Sequence, residues 1–483
     1  MLGDPLLLRR LEAYVRQRAV CSHTHAQIVI QPHAMVWAAV GLSGEDSSLH
    51  AVQIGRWNRP PSVTAVAADP IRGDERERVF DQVAIVLERY FAWCVKRAVA
   101  PQLIVTSSSA LEHLTNIAED YRFFRSAPRT AQAARDLTYF AERAPIRGQQ
   151  AVVSLAEVLS THWVTPLPPS RERHLGIVLA CIECPPGADL MALVLEAERT
   201  PMGPVTDPAF DADQLAPLLA KYRRAVRRRH VPAELQRRAQ AIREVMTPVT
   251  SKLYHAIQRG VGVLIRAHLP PLPAVTEWQR QEVRAFLDTV EASQQGVQYP
   301  INDRAKLAAF RLVIREDAQA NYEAAVVTDD AFGRARSVCT GQTLAGITEN
   351  RRRTGHPTRR GHVHTFDVVT TQDELTVRPG DELCLADDPR LVCVVRDYRL
   401  IGGQTRVGLR VARGMNVPGV PLDGSEVTMI RAVPDWHRLG RRRAAMAERL
   451  RVLPWTHVEG GAAPATDPET PPTDLIRALE VLK

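Results

Sequence analysis

The spacing of apolar residues in the N-terminal third of the chain predicts a small mixed sheet with flanking helices. Two strand-like runs, 27–42 and 48–57, come first, and an apolar stripe at helical spacing then predicts a long helix over 77–97. A short apolar run at 102–106 predicts a buried strand, and three serines that can cap a helix separate it from a helical pattern over 110–120. The predicted order is strand, strand, helix, strand, helix.

This order fits an RNase H-like fold, so residues 1–170 are predicted to form a mixed α/β domain of that kind. Catalysis by such a fold needs strand-borne carboxylates that converge on two metal ions about 4 Å apart. The first strand-like run contains no Asp or Glu, so the domain is predicted to be inactive. A divergent metal-dependent nuclease that uses Asp69, Asp74 and Glu75 in the following loop remains an alternative.

Residues 171–345 are predicted to form a mainly helical domain. One exception is the apolar run GIVLACIEC, which we interpret as a strand. Its Cys181 and Cys184 have the spacing of metal ligands, but no second pair of ligands follows nearby, so we interpret them as buried thiols. At the N-terminus, Leu7, Leu8, Leu11 and Val15 predict a helix that buries one face.

The C-terminal region changes to short apolar runs separated by turn residues. Residues 346–362 are polar and basic and are predicted to be a linker, and 363–433 are predicted to form a small β-barrel of the OB or SH3 kind. Residues 434–483 are predicted to comprise a basic helix, a flexible linker and a terminal helix. The predicted fold class is therefore α+β with several domains.

Charge gives the strongest indication of function. Lysine and arginine total 62 against 54 acidic residues, a formal net charge of +8, and only five of the 62 are lysine. Guanidinium groups bind phosphate in bidentate geometry, so arginine clusters favour a polyanionic partner, although a GC-rich genome would also enrich arginine. The residues predicted to bind nucleic acid are Arg223, Arg224, Arg227, Arg228, Arg229, Arg351, Arg352, Arg353, Arg359, Arg360, Arg396, Tyr398, Arg399, Arg441, Arg442 and Arg443, with Arg406 and Arg410 as further barrel candidates.

Motifs for catalysis are missing from the sequence. It contains no G-x-x-x-x-G-K-[ST], G-x-S-x-G, H-E-x-x-H or E-x-K, so we predict neither enzymatic activity nor a cofactor or metal. No apolar run is long enough to span a membrane, and the N-terminus lacks a signal-peptide pattern. The seven cysteines do not suggest a disulfide framework. These features predict a soluble, cytoplasmic protein.

A resemblance to a family rests on three stretches. They are QLIVTSSSALEHLTNIAEDY, the segment TEWQRQEVRAFLDTVEASQQGVQYPINDRAKLAAFRLVIREDAQANYEAAVVTDDAF, and the barrel segment LTVRPGDELCLADDP. Together they resemble the non-motor region that precedes the ATPase in large bacterial superfamily-one helicase-like proteins. The resemblance spans about residues 100–435 and implies a scaffold that grips nucleic acid beside a separately encoded ATPase.

These observations predict a non-catalytic subunit that binds DNA or RNA in a bacterial DNA-processing or anti-phage defence complex. Its partner would be a separate ATPase, helicase or nuclease subunit, and no membrane would be involved. Besides the divergent nuclease, a large subunit of an RNA-guided, CRISPR-type complex remains a second alternative, because such a subunit also needs basic channels.

Overall fold

The structure is a computed structural model that describes residues 4–42, 47–122, 128–295, 305–355, 362–372, 374–414 and 419–431. The chain divides into two compact units. One comprises residues 1–297 and 318–433, and the other comprises 298–317 and 434–483. In the second unit the described residues are 305–317, which are helical. Apart from the helical residues 305–317, the features described below belong to the first unit.

A five-stranded mixed sheet forms the N-terminal part of the first unit. It follows helix α1 (Pro5–Arg16) and a two-residue strand, β1 (Val20–Cys21). Its strands are β2 (Met35–Val40), β3 (Ala51–Arg56), β4 (Val63–Val66), β5 (Leu103–Val105) and β6 (Val152–Ser154), in the order β4-β3-β2-β5-β6. The first three are antiparallel neighbours, whereas β5 is parallel to β2 and β6 is parallel to β5.

Both faces of this sheet are covered. Every residue of the central strand β2 is buried, with Val36 and Ala38 in one apolar core and Met35 and Trp37 in the other. Helices α2 (Gly73–Arg97), α3 (Ser108–Tyr121) and α4 (Pro128–Arg143) cover the Trp37 side. The predicted long helix and the strand after it are therefore confirmed.

The central region is helical, as predicted. After α5 (Leu155–His162) and β7 (Trp163–Val164), which pairs with β1, it contains α6 (Leu175–Glu183), α7 (Leu190–Glu198), α8 (Pro208–Phe210), α9 (Ala216–Arg227), α10 (Pro232–Arg266), α11 (Val275–Gln294), α12 (Ala305–Asp329) and α13 (Ala331–Cys339). Helix α10 packs on β2 and β3, where the Tyr254 hydroxyl donates to the Arg56 carbonyl at 2.8 Å. The Val36 side of the sheet is thereby covered.

The run GIVLACIEC was predicted to be a strand, and this is wrong. It forms α6, in which Leu175, Ile177, Val178, Leu179, Cys181 and Ile182 are buried. A short apolar run carries no periodicity when nearly all its residues are buried, so the pattern could not distinguish helix from strand. Cys181 and Cys184 are buried thiols, as interpreted.

The C-terminal part of this unit is a closed antiparallel barrel. Its strands are β8 (Leu344–Gly355), β9 (His362–Thr370), β10 (Glu382–Leu385), β11 (Val392–Ile401), β12 (Gln404–Arg413) and β13 (Glu426–Arg431), in the order β10-β11-β12-β9-β8-β13. The barrel core includes Leu344, Phe366, Val395, Leu409 and Met429. Residues 346–355 were predicted to be part of a linker, but they belong to β8. Their outer positions are solvated, and this hid the strand pattern.

Candidate nucleic-acid interface

One face of the barrel carries four of the predicted arginines in a regular arrangement. Along β9, Phe366 and Val368 point into the barrel core, so the alternating residues Thr365 and Asp367 point outward. Paired residues on antiparallel strands share a face. The outer face across β8, β9, β12 and β11 therefore consists of transverse rows of side chains, and these rows differ in charge.

An acidic row is neutralised by arginines. Arg399 Nη2 donates to Asp367 Oδ1 at 3.1 Å, and its Nε donates to Asp397 Oδ1 at 3.1 Å. Arg406 pairs with Glu349, while Asp367 is only 8% exposed. Because Arg399 and Arg406 already have carboxylate partners, a phosphate would have to compete for them. The two arginines form ion pairs that connect different strands of the barrel.

The next row of this face carries two arginines, one on each side of Thr365. Arg352 on β8 and Arg410 on β12 are both in register with Thr365 on β9, one on each side. Both arginines are exposed, and neither has a carboxylate partner among the described residues. Since adjacent strands lie about 4.8 Å apart, the two backbones are roughly 10 Å apart across the row. Arg353 is exposed at the following position of β8.

A β-bulge sets this register. Glu349 pairs with Asp367, and Arg352 pairs with Thr365, so β8 has one more residue than β9 in the interval. Asn350 takes a left-handed backbone with φ of 55° and donates to Asp367 Oδ2 at 3.0 Å. The Arg351 N–H donates to Asp423 Oδ1 at 2.9 Å. The bulge therefore places Arg352, rather than Arg351, opposite Thr365.

Tyr398 does not lie on this face. Its register with Val407 turns the ring inward against the barrel core, and burial raises the pKa of its hydroxyl. The ring lines an open cavity of about 320 Å³ with Gln372, Leu375, Val377 and Thr405. The ring of Tyr398 is therefore not on the face that carries Arg352 and Arg410. Arg396 is exposed, and its Nη2 lies 3.9 Å from Asp397 Oδ2.

The α9 cluster is divided between two environments. Arg223 turns toward the sheet and forms an ion pair with Asp69, which is 3% exposed. Arg224, Arg227, Arg228 and Arg229 are exposed. They lie at or just beyond the C-terminal end of α9, where positive charge also stabilises the helix dipole. Arg223 is therefore engaged by a carboxylate, and phosphate binding by this cluster stays a prediction.

The other predicted arginines lie outside the described residues. They are Arg359, Arg360, Arg441, Arg442 and Arg443. Arg351 is exposed beside the bulge. Sequence reasoning did not identify Thr365, Asp367 or Glu349, although the alternation of apolar residues along β9 marks two of them as outward-facing.

The carboxylates considered for a nuclease each have a protein partner. Asp69 accepts from Arg223, and Asp74 accepts from Arg72 at 2.7 and 3.0 Å. Glu75 accepts from the Ala68 N–H at 2.9 Å and from the Tyr222 hydroxyl at 3.2 Å, and it pairs with Arg78. Within the ranges that the structure describes, no three His, Cys, Asp or Glu residues are grouped so that they could hold a metal ion.

Comparison with known proteins identifies no relative of this chain: no family model, no curated protein and no solved structure matches it. No helix among the described residues is long and apolar enough to cross a membrane.

Proposed function

We propose that this protein is a non-catalytic, cytoplasmic nucleic-acid-binding subunit of a bacterial DNA-processing or anti-phage defence complex. The single observation that carries the proposal is the pair Arg352 and Arg410, two exposed guanidinium groups on either side of Thr365 that have no carboxylate partner among the described residues. Guanidinium groups at this spacing can contact different phosphates of one strand. The neighbouring acidic row, already neutralised, would not repel the polyanion.

The apolar side chains on the central strand of the sheet support a scaffold rather than an enzyme. The order β4-β3-β2-β5-β6, with an antiparallel meander followed by two parallel strands, fits an RNase H-like fold. The central strand of this sheet carries Val36 and Ala38 under α10, where a nuclease of this fold would need carboxylates and open access for a strand. The six-stranded barrel fits a small OB- or SH3-like nucleic-acid module. A separately encoded ATPase or nuclease would then supply the chemistry.

The divergent nuclease is less well supported. Asp69, Asp74 and Glu75 are engaged by Arg223, Arg72 and Tyr222, so binding metal would require these contacts to break. No specific observation favours the RNA-guided complex over the general proposal.

The proposal is tested by fluorescence anisotropy of labelled single-stranded and duplex DNA and RNA across a salt series. We expect the logarithm of affinity to fall linearly with the logarithm of salt, with a slope of about 0.7 per phosphate contacted on a single strand. No binding at low salt to any of the four would overturn the proposal. Added Mg²⁺ or Mn²⁺ should not produce cleavage.

A further inference from the structure

Helix α1 has the reverse of the usual orientation for a surface helix. Its apolar residues face solvent, with Leu7, Leu8, Leu11, Tyr14 and Val15 between 53% and 80% exposed. Its other side packs on the body of the protein, where Ala13 is buried and Arg10 lies 3.5 Å from Glu172. The prediction that the leucine stripe of this helix is buried is therefore wrong for the structure described. A contiguous apolar patch of this kind usually marks an interaction site.

The exposed stripe is symmetric along the helix. Counted outward from Leu11, apolar residues occur three and four positions away in both directions: Leu8 and Leu7 toward the N-terminus, Tyr14 and Val15 toward the C-terminus. Two such helices packed antiparallel around a two-fold axis at Leu11 would place Leu11 against its own copy. Leu7 would then meet Val15 of the other copy, and Leu8 would meet Tyr14. An isologous interface requires this self-complementarity.

The charges agree with the same arrangement. The acidic cap Asp4 lies at the N-terminal end of α1, and Arg16 and Arg18 lie at or beyond the C-terminal end. Antiparallel packing brings the acidic end of each helix to the basic end of the other, and it also opposes the two helix dipoles favourably. A parallel arrangement would place like charges together. The ends of the helix therefore select the antiparallel direction.

The area is sufficient for a reversible contact. Since half or more of each of the five side chains is exposed, pairing two copies would bury on the order of 1,000 Å² in total, near the lower limit for specific interfaces. Two helices in contact through such stripes approach to about 8–10 Å between axes. This size indicates a dimer that forms and dissociates with concentration.

We propose that α1 is a homodimerisation helix, which pairs antiparallel with α1 of a second copy about a two-fold axis at Leu11. The partner is thus this chain itself. The inference does not depend on nucleic-acid binding. A dimer would present two barrels to one polyanion, so the two sites would act together.

Sedimentation velocity of the full chain over a wide range of concentrations tests the association. We expect a monomer–dimer equilibrium, and Leu11→Asp should weaken it more than tenfold because two carboxylates would meet at the axis. Leu422→Asp is the matched control, since Leu422 is 66% exposed elsewhere on the surface and its replacement should leave the equilibrium unchanged. A monomer at every concentration, or a dimer insensitive to Leu11→Asp, would overturn the proposal.

Cysteine cross-linking tests the register. In a background with the exposed Cys21 and Cys339 replaced by serine, Leu11→Cys should form a disulfide-linked dimer on mild oxidation. Leu7→Cys alone should not, because the two copies of position 7 would be about 12 Å apart along the axis, beyond disulfide reach. A mixture of Leu7→Cys and Val15→Cys proteins should cross-link. Efficient self-linking of Leu7→Cys would contradict the antiparallel register.

Discussion

Arg223 and Asp69 form a two-pronged ion pair, in which Nε and Nη2 of the arginine donate to the two carboxylate oxygens at 2.8 and 2.7 Å. The contact joins α9 to the loop after β4. From sequence, the arginine was a candidate phosphate ligand and the aspartate a candidate metal ligand. Their pairing gives both residues a structural role, while Arg224, Arg227, Arg228 and Arg229 stay exposed at the end of α9.

Removing the arginine should destabilise the fold. Arg223→Ala leaves the buried Asp69 carboxylate without its cation, and we expect the free energy of unfolding to fall by about 3 kcal/mol, since loss of one partner strands the other charge. Chemical denaturation measures the loss. Arg224→Ala, at an exposed neighbouring position, should change stability by less than about 0.5 kcal/mol. Equal effects of the two substitutions would contradict this role for the ion pair.

Stability should also fall in mild acid because of a buried histidine. His50 is fully buried, and burial lowers the pKa of its imidazole to about 4, although the charge of Asp69 acts in the opposite direction. The unfolded chain takes up this proton near pH 6.5, whereas the folded chain does so only near pH 4. Stability is therefore retained above about pH 6.5 and lost progressively down to pH 4, by roughly 3 kcal/mol from this group.

The comparison of two histidine variants isolates this contribution. His50→Leu should flatten the dependence of the melting temperature on pH between 7 and 4, whereas His268→Asn, at an exposed site, should leave it unchanged. Burial also lowers the pKa values of His33, His162 and His174, so part of the dependence will remain. If the melting temperature of His50→Leu depended on pH as fully as that of the wild type, the contribution assigned to His50 would be contradicted.

Asp330 fastens the N-terminal loop to the start of α13. It is 1% exposed and accepts from His23 Nδ1 at 3.0 Å, from the Thr24 N–H at 2.8 Å and from the Gly333 N–H at 2.8 Å. Burial alone would raise the pKa of this carboxyl, but the hydrogen bond from His23 and those from the backbone hold it well below its usual value. Its contribution to stability is therefore present above about pH 4 and is lost as the pH falls through the lowered pKa.

Asp330→Asn should lower the melting temperature at pH 7. It should also reduce the further fall in melting temperature below pH 4. The amide keeps the shape of the side chain but removes the charge that His23 and three backbone N–H groups stabilise, and such charge-assisted bonds contribute about 1.5–3 kcal/mol. Asp329→Asn, at the adjacent position, is the control. If both variants melt alike, the network around Asp330 contributes little.

The long helix of the N-terminal part could be predicted because its apolar residues recur at helical spacing on one face. The stripe of α2, with Val79, Phe80, Val83, Leu87, Tyr90, Phe91 and Cys94, is buried as expected. The strand predicted over 27–42 was too long, since the strand in the structure spans Met35–Val40. Pro32 lies in the excluded part, where a proline cannot donate to a sheet.

From the sequence, the candidate nucleic-acid interface could be predicted only as a set of arginine clusters and not as an arrangement in space. Neither the bulge at Asn350 nor the register of Arg352 and Arg410 about Thr365 can be inferred from spacing, since one inserted residue changes which arginine faces outward. Asp69, Asp367 and Glu349, which pair with Arg223, Arg399 and Arg406, lie 154, 32 and 57 positions away in sequence. Which arginines are free to bind phosphate therefore depends on tertiary contacts.

The proposed phosphate contacts of Arg352 and Arg410 are tested by the affinity of Arg352→Ala/Arg410→Ala for labelled single-stranded nucleic acid, measured by anisotropy over a salt series. Arg173→Ala is the control, because Arg173 is exposed and lies in a short 3-10 helix before α6, outside the barrel. We expect the affinity of the double variant to be at least tenfold lower at low salt, and the salt slope to be reduced by about 0.7 for each arginine removed. Wild-type affinity and slope in the double variant would contradict the proposed contacts.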